Sequence, residues 1–158
     1  MLKAIETRYR GFRFRSRAEA RFAVYLDTAK VVWSYEPEGF DFDGIKYLPD
    51  FWVQSQFDEA SGYWVEIKGM PPTQVEIHKA QLLANASEHT VLLVFGQAGD
   101  WDCIAVRKDS PPTNERLSDR LARSCSRRDP EECAWDLDAA GRIAAKVARF
   151  EHGESPTE

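Results

Sequence analysis

Apolar and polar positions recur along this chain at two periods, close to 3.6 and to 2, and each change of period marks a new element. Ser16-Arg17-Ala18-Glu19 has the spacing of a helix start, and Phe22, Ala23 and Leu26 follow at helical intervals. This pattern predicts a helix from Arg17 to about Ala29. Before it, Tyr9 to Arg15 alternates aromatic and arginine side chains around Gly11, as a short strand or extended arm does, and sends Arg13 and Arg15 the same way. After it, Val31 to Glu36 is rich in β-branched and aromatic residues and reads as a strand stopped by Pro37.

Phe40-Asp41-Phe42 and Ile45-Lys46-Tyr47-Leu48 flank Asp43-Gly44, a pair suited to a tight hairpin, and the second arm is expected to continue through Pro49 to Val53. Pro49 cannot donate to a ladder, so it belongs at an edge, a bulge or the end of pairing. A polar loop from Gln54 to Gly62 leads into Tyr63-Trp64-Val65-Glu66-Ile67-Lys68-Gly69, which alternates cleanly and is the central strand expected of the fold. Thr73 caps a predicted helix reaching about Ser87, with Ile77, Ala80, Leu83 and Ala84 inward and Gln74, His78, Gln81 and Asn85 on a polar stripe. Thr90 to Phe95 is fully apolar, as an interior strand with parallel pairing requires, and Asp102 to Arg107 is a further strand. From Asp109 to Asp136 the chain is polar, expected as loop with short helical pieces. Asp138 is expected to cap a last helix with Ile143, Val147 and Phe150 on one face. The order is helix, three mostly antiparallel strands, helix, strand, which predicts an α/β fold with one mixed sheet flanked by helices and a variable C-terminal part.

With 158 residues, 43% of them hydrophobic, the chain can bury one core and is short for two domains. Even the apolar run Val91 to Phe95, which no other exceeds, falls far below the ~20 residues of a membrane span, and Met1 to Glu6 has no signal-peptide core. A cytoplasmic protein without a membrane partner is the expectation. Cys103, Cys125 and Cys133 form no Cys-x-x-Cys pair and read as reduced packing residues. The net charge of −5 hides an asymmetry: the first thirty residues carry eight basic and three acidic side chains. That end suits a polyanion, although a solvated charged surface produces the same run.

Residues two apart on a strand share a face, so Glu66 and Lys68 project together from the central strand. Leu48, Asp50 and Trp52 share a face on the preceding arm, and antiparallel pairing can set Asp50 opposite or diagonal to Glu66. Two converging carboxylates repel unless a cation joins them, and hard oxygen ligands suit Mg²⁺ or Mn²⁺. A lysine beside such a site can orient or deprotonate a water or neutralise charge developing on a phosphoryl group. A solvated Glu66–Lys68 pair is the alternative, but Leu48, Trp52 and Trp64 on the same face predict cover, and charges among aromatics need a partner.

Pro49-Asp50 followed by Glu66-Ile67-Lys68 resembles the signature of the PD-(D/E)XK nuclease superfamily, with further matches in Glu19, in Tyr35-Glu36-Pro37-Glu38 and in the helix after Lys68. The resemblance spans roughly Arg13 to Gly96 and implies a restriction-endonuclease-like αβββαβ core. Residues 1–108 would form a nuclease core with a basic N-terminal arm, and 109–158 a loop and helix extension of the same domain.

The resemblance also implies that Asp50, Glu66 and the Ile67 carbonyl bind Mg²⁺, for which Mn²⁺ can substitute. Lys68 would attend the nucleophilic water and Glu19 would add a ligand from the first helix, although its capping spacing also lets it bond the helix start. Lys79 and Gln81 stand where members place residues that touch phosphate or water. Arg13, Arg15 and Arg17 are collectively suited to backbone phosphates. The expected function is a divalent-metal-dependent endonuclease acting on DNA, as a homodimer or within a larger phage or DNA-processing assembly. The alternative is a catalytically silent nucleic-acid-binding or assembly module with the same fold.

Overall fold

The computed structural model describes residues 4–55, 62–122 and 130–150. Two short strands, β1 (Thr7–Tyr9) and β2 (Phe12–Phe14), pair antiparallel around Arg10-Gly11. The arm expected before the first helix is therefore a hairpin, and both turn residues take positive φ, 47° and 80°. Asp27 ties it down, accepting hydrogen bonds from Tyr9 Oη at 2.6 Å and Trp33 Nε1 at 2.9 Å. Helix α1 (Arg17–Thr28) starts where Ser16 Oγ accepts the Glu19 N–H at 3.2 Å. It buries Glu19, Ala20, Phe22, Ala23, Tyr25 and Leu26.

Strand β3 (Trp33–Tyr35) is followed by a hairpin of β4 (Phe40–Phe42) and β5 (Ile45–Tyr47), whose turn residues Asp43 and Gly44 have φ of 52° and 91°. These two strands form a sheet of their own. The arm expected to run unbroken from Ile45 to Val53 is thus divided at Pro49, and β6 (Phe51–Gln54) begins afresh in the main sheet. Proline has no N–H to give the ladder, so pairing stops there. Strand β7 (Gly62–Lys68), helix α2 (Gln74–Ser87) and strand β8 (Thr90–Gln97) form the parallel crossover; β9 (Asp100–Val106) and β10 (Thr113–Asn114) complete the sheet. Its order is β10-β9-β8-β7-β6-β3, antiparallel except between β7 and β8.

The succession α1, β3, β6, β7, α2, β8 gives a mixed sheet with helices on its faces, consistent with a restriction-endonuclease-like core into which the β4–β5 hairpin is inserted. Val65, Leu92 and Val94 pack toward α1, while Trp64, Val91 and Leu93 pack toward Ala80, Leu83 and Ala84 of α2. Cys103 is buried in the first layer. The sheet plane separates the two.

The C-terminal part departs from expectation. Helix α3 (Leu117–Ala122) precedes α4 (Pro130–Val147), so Asp138 lies inside a helix rather than capping one. Its carboxylate accepts Tyr25 Oη at 2.6 Å and Arg142 Nε at 2.8 Å. Ile143 and Val147 are 63% and 67% exposed; the buried positions are Asp138, Gly141 and Ala145, which let α4 close on α1. A Cβ on Gly141 would stand 2.7 Å from the Tyr25 ring. Most of the loop expected from Gln54 to Gly62 and Cys125 lie outside the described residues.

Candidate metal centre

Asp50 occupies the point where β6 begins, and it is only 4% exposed. Phe51 pairs with Val65, so extending that register sets Asp50 opposite Glu66 and Pro49 opposite Ile67. Because Pro49 has no N–H and the ladder ends, the Asp50 side chain takes over part of its role: Oδ2 accepts the Ile67 N–H at 2.7 Å. A residue's N–H and C=O leave an antiparallel strand on the same edge, which puts the Ile67 carbonyl on the Asp50 side of β7.

The Asp50 carboxylate gathers with Glu19 of α1 and with Glu36, one oxygen of each lying within 4.8 Å of the others. Glu36 enters through backbone geometry. It follows β3 with φ of 44°, and its N–H donates to the Asp50 carbonyl at 2.9 Å. The Glu19 carboxylate accepts Tyr35 Oη at 2.5 Å, so the side chain does not bond the helix start; only its backbone N–H meets the Ser16 cap. Burial, and then the neighbouring Glu19 charge, push the Asp50 carboxyl from 3.8 up to about 8 against the opposing help of the Ile67 N–H. Arg15 partly neutralises the group, reaching Glu36 Oε1 at 2.5 Å and Asp50 Oδ1 at 3.1 Å. The first of these contacts lacks hydrogen-bond alignment, so the buried Glu36 Oε1 has no proper donor.

Glu66 and Lys68 belong to the α2 face of the sheet. Lys68 Nζ lies 2.5 Å from Glu66 Oε1 and 2.7 Å from Glu76 Oε2, and Tyr47 Oη donates to Glu66 Oε2. Burial pulls the Lys68 ammonium down, but Glu66 and Glu76 outweigh it and hold it above the ordinary lysine range. Both carboxylates thus favour the charged form of Lys68. Glu76 is itself fixed by the Thr73 capping box at the start of α2. Burial, then Glu66, and then Asp50 push the Tyr47 phenol up, so Tyr47 feels both carboxylates. Asp50 stands between the two groups.

Among the remaining expected residues, Arg13 pairs with Glu6 at the exposed hairpin. Arg17 is half-buried, with its Nε lacking a partner. Gln81 Nε2 is committed to the Arg107 carbonyl at 2.7 Å and to Asn85 Oδ1 at 2.9 Å, so it ties α2 to the end of β9. Lys79 is half-buried on α2. Tyr47 and Glu76 enter the arrangement without a sequence expectation, and Glu36 carried one only as part of the Tyr35-Glu36-Pro37-Glu38 match, with no role as a ligand. Tyr35-Glu36-Pro37 was the visible signal for Glu36 and Thr73-x-x-Glu76 for Glu76, but both read equally well as strand stop and helix cap.

These residues fit a hard divalent cation. The donor set is all oxygen, three carboxylates converge, the buried Asp50 among them, and one buried carboxylate oxygen has no well-aligned donor. The Arg15 guanidinium is the competing source of positive charge.

No family model and no curated protein matches the sequence. Among solved structures, the chain is similar to a protein from Anabaena variabilis ATCC 29413 described as a candidate nuclease belonging to DUF820. The two superpose with a TM-score of 0.42 at 14% identity, covering 88% of this chain and 92% of that one. A likeness of that degree assigns neither residues nor activity to this chain.

Proposed function

We propose that the chain is a divalent-metal-dependent nuclease that hydrolyses phosphodiester bonds of DNA, with the PD-(D/E)XK arrangement of residues. The observation that carries this reading is Asp50, a nearly buried carboxylate between Glu19 and Glu36 on one side and Glu66 and Lys68 on the other. Asp50, Glu66 and the Ile67 carbonyl would hold Mg²⁺ or Mn²⁺, with Glu19 and Glu36 as further carboxylates. Such an ion supplies Lewis acidity and a water of lowered pKa when bound.

The chain's own residues do the rest. The Ile67 N–H fixes the Asp50 carboxylate, and Tyr47 and Lys68 hold Glu66. Lys68, kept charged by Glu66 and Glu76, stabilises negative charge developing on the phosphoryl oxygens and orients the attacking water. Arg15, once released from Asp50, is free to meet a backbone phosphate; Arg13, Arg17 and Lys79 extend the basic contacts.

A catalytically silent binding module is the second reading, and Arg15 is the observation that favours it, since a guanidinium already compensates Asp50 and Glu36. Incubation of the purified protein with duplex, single-stranded and branched DNA in Mg²⁺ or Mn²⁺ separates the two. The nuclease reading expects metal-dependent nicks that Asp50→Ala and Lys68→Ala abolish. Salt-sensitive binding with no turnover on any substrate would establish the silent module.

A further inference from the structure

On the α2 face lies a cleft of about 450 Å³ lined by Phe40, Trp52, Trp64 and His89, together with Pro37 and Glu38. The rings stand edge to face or tilted: Trp52 and Trp64 centroids are 4.7 Å apart, Trp52 and His89 5.0 Å, Phe40 and Trp64 5.4 Å. Trp64 is 6% exposed, and its indole N–H is buried without an acceptor among the described residues. No lysine or arginine lines the cleft. An aromatic box with an acidic residue at its side repels phosphate and suits a flat, uncharged, partly polar group.

Its position is equally specific. Glu38, Trp52 and Trp64 each stand two residues along the chain from Glu36, Asp50 and Glu66. On β6 and β7 that step is about 7 Å, which is the scale on which a nucleotide separates its base from its phosphate. A strand whose phosphate reaches the carboxylates therefore has a base within reach of the box.

We propose that this cleft receives an unpaired nucleobase of the substrate strand, so that the substrate presents a single-stranded, flapped or flipped-out nucleotide beside the bond to be cut. The inference rests on the nuclease reading for its substrate class but not for its geometry. A base inside a duplex cannot enter such a box, whereas an extruded one stacks on the tryptophans. Trp52 supplies the accessible wall, because it is only half-buried, whereas Trp64 lies deeper.

The test is anisotropy titration of the full chain in EDTA with three labelled ligands of equal length: a single strand, its duplex, and a strand of abasic residues. Wild type should bind the single strand about ten-fold more tightly than the other two, in keeping with the worth of base stacking on aromatic residues. Trp52→Ala and His89→Ala, each checked for folding by circular dichroism, should erase that preference while leaving duplex binding unchanged. Should Trp52→Ala fail to fold, His89→Ala and Phe40→Ala decide. Equal binding of all three ligands by wild type, or a preference that survives the folded variants, would overturn the proposal. Binding is read in EDTA and cleavage separately after Mg²⁺ is added: a preference in EDTA with no cleavage in Mg²⁺ would sink the nuclease reading alone, and cleavage in Mg²⁺ without a preference in EDTA would sink the base pocket alone.

Discussion

Asp50 concentrates the electrostatic tension of this molecule in one side chain. Burial and Glu19 hold its carboxyl at about 8, so the metal-free folded protein binds that proton more tightly than the unfolded chain does. A raised pKa contributes stability that is complete below the unfolded value, near 3.8, and is lost as pH rises through about 8. Denaturant unfolding in EDTA should therefore show wild type losing stability between about pH 5 and about pH 9 relative to Asp50→Asn, which keeps the shape without the ionisation. Parallel curves for the two proteins would show that the group is not strained by its charge. On the proposed reading a bound metal would displace the same proton, so Mn²⁺ affinity should rise across that window. That Asp50 and Glu66 share a sheet face was legible from alternation, but the register, opposite or diagonal, was not, and it comes from the pairing of Phe51 with Val65. The place of Glu36 was not legible either: its carboxylate is brought in by a φ of 44° after β3, and no periodic signal announces a single left-handed residue. Nor does spacing show that Arg15 turns inward to Asp50, since its partners lie on segments distant in sequence.

At the scale of elements, α1, β7, α2 and β8 follow their sequence signals closely, since each has a cap or an uninterrupted apolar period. The parallel pairing of β8 with β7 likewise follows from its wholly apolar run. What escaped was tertiary override. The β4–β5 hairpin leaves the main sheet because Pro49 cuts the ladder, and α4 turns Asp138, Gly141 and Ala145 inward in place of its larger apolar residues because Tyr25 must fit against it. That contact makes a sharp prediction. Gly141→Ala would improve helix propensity in isolation, yet its Cβ meets the Tyr25 ring at 2.7 Å and the Tyr25 backbone oxygen at 3.1 Å. Overpacking should dominate and lower stability by about 1–3 kcal/mol in urea unfolding. A gain in stability would mean that α4 is not seated on α1 as described.

Across the whole molecule, charge is distributed unevenly. Arg10 and Arg13 of the basic end pair with Asp27 and Glu6 of the same end, and Arg15 with Glu36 and Asp50, while all three arginine side chains stay more than half exposed. No helix among the described residues is long and apolar enough to cross a membrane. On the proposed reading, an ion held by the carboxylate cluster would offset its negative charge and strengthen the approach of a phosphate backbone. The most direct test is therefore diffraction from crystals grown with Mn²⁺ at the manganese absorption edge. An anomalous peak within bonding distance of Asp50, flanked by Glu66 or Glu19 and accompanied by withdrawal of Arg15, is the predicted result. A cluster that holds no manganese at saturating concentration, with Arg15 still paired to Asp50, would contradict the metal-centred account.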